Sequence, residues 1–162
     1  MNRDNLQKFD TLTLSGIQIL SDVSEVLKAE LTALTHRDLE QIKKCATDKS
    51  KLLSDFSENI RQRTHLLQIN NFEATAASIS AFINSSDNSS EILVFQTNWK
   101  NLETSLQTVI NANSVNEQVL SRNQKNLDTI LSILQGQQAN NILYTAKGNK
   151  GDYAGQSRIG KA

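Results

Sequence analysis

Few side chains in this 162-residue chain are of types that do chemistry near neutral pH: His36, His65, Cys45 and a set of lysines. A histidine can act as general base, metal ligand or phosphoryl carrier, and each role needs company. Neither histidine has a cysteine or a pair of carboxylates at metal-ligand spacing, and no H-E-x-x-H occurs. His36 stands in "THRDLE" and His65 in "RQRTHLLQ". Neither word combines the small residues and the basic neighbours that let a phosphoryl group approach. Cys45 follows Lys43 and Lys44, but a lone helical cysteine more often behaves as a small buried apolar group than as a reactive thiol. Lys43, Lys44, Lys49 and Lys51 read as a solvated helix face. "GNKGDYAG" has glycines but neither a preceding strand nor G-K-[ST], so it is no phosphate loop. The chemistry expected is none: a non-enzymatic chain without metal or cofactor.

The elements that would position these residues are helices. Proline is absent, and Gly16 is the only glycine before Gly136. Sheet proteins need turn residues every dozen positions or so, whereas long helices need few breakers. Seventeen acids balance seventeen bases, so net charge argues for neither nucleic acid nor an anionic membrane. No apolar run is long enough to span a bilayer, and "MNRDNLQKFDTLTL" lacks the apolar core of a signal peptide. With one cysteine and thus no internal disulfide, the expected location is the cytoplasm.

Apolar residues recur at helical spacing: Leu6, Phe9, Ile17, Leu20, Val23, Leu27, Leu31, Leu34, then Leu39, Ile42, Ala46, Leu53, Phe56, Ile60 and Leu67. This predicts one long arm over about 4–69, with a kink or register change near His36 where Thr35 or Asp38 caps a new helix. A short helix follows over about 72–83. Ser90 and Glu91 open a second arm over about 90–135, on Ile92, Phe95, Trp99, Leu102, Leu106, Val109, Leu120, Leu127, Ile130 and Leu134. The predicted fold is all-α: an elongated antiparallel helical hairpin or coiled-coil bundle over 1–135, with a flexible Gly-rich C-terminal segment over 136–162.

Two features break the pattern. Continuing the step of three and four beyond Val109 lands on Asn113, Asn116, Leu120 and Asn123. Asparagines there either set the register of a covered seam or border one that is only partly covered and open to another helix. The tail after Gln135 carries five of the six glycines, both tyrosines, and four bases against one acid. The rest of the chain is correspondingly acidic, with thirteen bases against sixteen acids.

Particular words go further than the pattern. "LKAELTALTHRDLEQIKKCATDKSKLL", from Leu27 to Leu53, resembles the first arm of the FlgN family of flagellar export chaperones, in Glu30 to Leu34, Arg37–Asp38, Lys49 and Leu52–Leu53. Trp99 after "FQTN", "VLSRNQKNLDTIL" from Val119 to Leu131, and the Leu-Tyr-x-x-x-Gly of "LYTAKGN" resemble later family words in the same order. The Asn-Gly that the family often carries in mid-arm is Asn113–Ser114 here. The resemblance implies a cytoplasmic chaperone that binds the C-terminal helices of the hook–filament junction proteins FlgK and FlgL and delivers them to the export gate protein FlhA. Cargo would lie on Asn116, Leu120, Asn123, Leu127, Ile130, Leu131, Leu134 and Leu143, and Tyr144 would dock at the gate. No nucleic acid and no membrane insertion are implied, and a weak homodimer is compatible with the pattern. The alternative reading is a structural, self-associating coiled-coil adaptor with no export role.

Overall fold

The computed structural model describes residues 3–86 and 88–134. Four helices follow in chain order, α1 (Arg3–His36), α2 (Leu39–Ile69), α3 (Ala76–Ile83) and α4 (Ser89–Leu134), with no strand among the described residues. The chain divides into two units, Met1–Ser121 and a second that begins at Arg122. The first holds α1, α2, α3 and most of α4; the described part of the second is the end of α4. The predicted C-terminal segment lies outside the described residues.

The first unit is built around α1. Its buried positions Leu6, Phe9, Thr13, Gly16, Leu20, Val23, Leu27, Glu30 and Leu34 are separated by alternating steps of three and four, with Ala33 buried beside the last of them. Such a seven-residue repeat keeps one face turned toward neighbouring helices along the whole length. On α4 the answering residues Phe95, Leu102, Val109 and Asn116 lie seven apart. Long-range hydrogen bonds give the directions. Asn98 Nδ2 donates to Asp10 at 2.9 Å, and Asn116 Nδ2 to the Leu27 carbonyl at 2.9 Å, so α4 runs parallel to α1. Asn59 Nδ2 reaches the Leu12 carbonyl at 2.8 Å and Lys49 Nζ reaches Glu30 at 2.7 Å, so α2 runs antiparallel to it.

That direction departs from the predicted first arm. The chain does not kink near His36; it turns back, and α2 retraces α1. Arg37 makes this happen by adopting a left-handed backbone, φ 58°. The Asp38 N–H then bonds to the Ala33 carbonyl at 3.0 Å, the closing contact of a Schellman motif. Asp38 next caps α2, its carboxylate accepting the Gln41 N–H at 3.1 Å. The end of α2 repeats the device: Asn71 has φ 62°, and the Phe72 N–H bonds to the Leu67 carbonyl at 2.9 Å. Glycine is the usual residue at such a position because a Cβ costs about 1 kcal/mol there. Its absence at Arg37 hid the turn.

The apolar stripe expected on α2 is also partly displaced. Cys45, Phe56, Asn59, Arg63 and Leu67 are buried, whereas Leu39, Leu53 and Ile60 are exposed. Thr75 caps α3, which starts four residues later than predicted because Asn71 ends α2 in a left-handed turn. Phe82 of α3 meets Phe9 and Phe72 edge-on, each with ring centres 5.3 Å apart, and with Leu6, Leu67 and Phe95 closes one end of the core. The other apolar cluster gathers Leu20, Val23, Leu27, Phe56, Leu102 and Val109, and Trp99 packs against both. Gly16 lies where α2 and α4 both press close on α1. A Cβ placed there would stand 3.0 Å from Asn59 Oδ1 and 3.0 Å from a Leu102 methyl. Finally, α4 passes through Asn113 without a break, and Asn113 Nδ2 bonds to Glu117 one turn on at 2.6 Å.

Candidate functional site

The sequence-predicted cargo residues fall in two different environments. In the first unit, Asn116 is only 4% exposed. Its Nδ2 donates both to the Leu27 carbonyl and, at 2.8 Å, to Glu30 Oε2. Glu30 in turn accepts from Lys49 Nζ at 2.7 and 2.9 Å. One buried carboxylate thus joins side chains from α1, α2 and α4. Each polar group there has a partner, which is what makes its burial tolerable. Asn116 therefore belongs to the packing of the bundle, a correction to its expected place at the margin of an open seam. Of the two readings of the asparagines, the covered seam applies at this position.

Beyond it the helix surface changes. Leu120, still in the first unit, is exposed. In the second unit Leu127, Ile130, Leu131 and Ile133 follow within two turns, and all are exposed, from 52% for Ile130 to 67% for Ile133. Asn123 is half-buried. Scattered apolar side chains on a surface are ordinary, but four large aliphatics on seven consecutive residues form a patch, and such patches mark contact surfaces. Ile133 was missed by sequence reading, which followed a single stripe and passed over the residue beside it. The side chain of Leu134, and both Leu143 and Tyr144, lie outside the described residues.

The residues with chemical potential all belong to the first unit. His36 is exposed at the end of α1, its Nδ1 2.8 Å from the Thr32 carbonyl. His65 is exposed on α2 and lines a shallow depression with Lys8 and Arg61. The fold thus gives His65 basic neighbours, but Arg61 is committed to Glu58, with both hydrogen bonds at 2.7 Å. Those bonds, with a further one from Gln62, hold the exposed Glu58 carboxyl down at about 2. Cys45 is buried, and Gln41 Nε2 lies 3.7 Å from its sulfur. Among the described residues no cluster of three or more His, Cys, Asp or Glu is placed to hold a metal ion, and no helix is long and apolar enough to cross a membrane. What the geometry offers is a surface for binding.

No curated protein and no solved structure gives a significant match to the chain. The family model described as FlgN protein, by contrast, matches residues 5–151, which takes in all four helices apart from the first two residues of α1. The chain belongs to the FlgN family, a family of flagellar export chaperones.

Proposed function

We propose that this protein holds the C-terminal helices of the hook–filament junction proteins FlgK and FlgL before export, and passes them to the export gate protein FlhA in the cytoplasm. The observation that carries the reading is the run Leu127, Ile130, Leu131 and Ile133, exposed on one short stretch of α4. Cargo helices of this kind are amphipathic and become covered only on assembly, so a carrier must offer an apolar helix face in return. Asn123 borders the run and supplies polar contact, which keeps the hold releasable. Leu134 and Leu143 would extend the same surface. Tyr144 would serve the gate, since a tyrosine gives a large apolar face and a hydroxyl at low conformational cost. Binding and release of this sort need neither metal nor covalent chemistry.

The test is calorimetric titration with a synthetic C-terminal helix of FlgK and, separately, of FlgL. Saturable binding with a negative heat-capacity change is expected, and Leu127→Asp combined with Leu131→Asp should abolish it while the far-ultraviolet circular dichroism stays unchanged. A second reading uses the same exposed run: self-association as a coiled-coil adaptor. A stable homo-oligomer that persists whether or not a cargo helix is added, with no heat of cargo binding, would favour that reading.

A further inference from the structure

A second recessed surface lies in the first unit. It is a groove of about 240 Å³, walled by Phe56, Leu67, Ile79, Trp99 and Leu106, with Arg63 among its lining residues. Arg63 is only 7% exposed. Its Nε donates to Asn59 Oδ1 at 3.0 Å, and its guanidinium lies 5.5 Å from the Trp99 ring centre and 6.0 Å from that of Phe56. Among the described residues no carboxylate stands within ion-pair distance of it. Glu103, the acid that lines the groove, is engaged by the Trp99 indole N–H at 2.7 Å. The desolvated cation therefore has aromatic faces around it and no anion, and burial pulls its pKa down to about 10.

We propose that this groove docks a helical segment of a partner protein that inserts a large apolar side chain and sets a carboxylate over Arg63. The volume suits one or two side chains and falls below that of a typical cofactor site. A buried guanidinium is stabilised by a planar carboxylate that it can grip with two parallel hydrogen bonds. The contact sought at Arg63 selects among occupants: the chain's own tail, with four bases against one acid, has Asp152 alone to offer it.

Trp99 is the chain's single tryptophan and lines the groove, so its fluorescence reports occupancy directly. The full-length protein is titrated with a blocked amphipathic peptide whose leucine stripe is bordered by glutamates, and with a twin carrying glutamines instead. A saturable change in Trp99 emission is expected with the glutamate peptide, and affinity roughly tenfold or more weaker with the twin, as befits one charge-assisted contact. Arg63→Met, which keeps the packing of the stem, should erase the difference between the peptides; Arg63→Lys should keep its direction. The Leu127→Asp, Leu131→Asp variant should titrate as the wild type does, which separates this site from the cargo run. Equal affinity for both peptides, or no change in emission with either, overturns the proposal. So does a dimer in sedimentation that Arg63→Met dissolves, since the groove would then belong to a second copy of this chain.

Discussion

Leu20 and Leu27 on α1 are the same residue type as Leu127 and Leu131 on α4, set in the same kind of helix, yet the first pair is 1% exposed and the second more than half exposed. The difference is not in the helices themselves. Around α1 two other helices answer each step of the repeat, with Phe56 from α2 and Leu102 and Val109 from α4. A stripe of aliphatics specifies a face, and a second element has to supply what covers it. Where the cover is internal the stripe is a core; where the stripe is bare it is available to bind.

The sharpest way to break the comparison is to make one substitution in both places. Leu27→Asp should remove the folded state, because it leaves a cavity and buries an uncompensated charge. Together these cost more than about 5 kcal/mol, comparable with the whole stability of a small domain. Thermal melts followed by circular dichroism would show no cooperative transition. Next in size is Glu30→Ala, which strands Lys49 and removes one of the two acceptors of Asn116. A loss of about 3 kcal/mol in urea denaturation is expected, with strong non-additivity when it is combined with Asn116→Ala. By contrast, Leu127→Asp with Leu131→Asp should shift stability by no more than about 0.5 kcal/mol while abolishing cargo binding. If that double variant unfolds the protein, the bare stretch is core after all and the contrast fails.

The smallest effect sharpens the exposed side. Glu58 has its carboxyl lowered from 4.5 to about 2, chiefly by the Arg61 hydrogen bonds and then by Gln62. A depressed carboxylate stabilises the fold fully above its unfolded pKa, and that contribution is lost as pH falls from about 4.5 through about 2. The pair is exposed, so solvent screening keeps the contribution small. Glu58→Gln should flatten the acid limb of the stability profile slightly and leave neutral pH unchanged.

Much of this was readable from sequence, and the rest was not for identifiable reasons. The step of three and four is local, so the helical stretches could be seen, although α1 and α2 read as one kinked arm with Thr35 or Asp38 as the cap. The reversal at Arg37 could not be seen, because a left-handed arginine leaves no glycine behind as a sign. Asn116 was ambiguous because its partner Glu30 lies 86 residues away, and only the folded chain brings them within 2.8 Å. Nothing near Arg63 in sequence betrays that Phe56 and Trp99 will flank it. On the binding side, the run from Leu127 to Leu131 was legible as an apolar stripe. Its exposure was one of two open readings, since exposure depends on which elements come to lie beside it.

The seven-residue repeat carries a hidden ambiguity. Slide α4 by one repeat along α1, and Asn123 arrives where Asn116 now meets Glu30, while Ser105 comes opposite Asp10 in place of Asn98. Both newcomers can hydrogen-bond, so the polar contacts alone would barely distinguish the slipped pairing from the native one. The aromatic residues do. Trp99 stacks on Phe9 with ring centres 5.8 Å apart, and the slide would substitute Leu106 for it and draw Phe95 away from the Phe82 end of the core. In a chain with so few aromatics, those few act as the vernier that tells one repeat from the next.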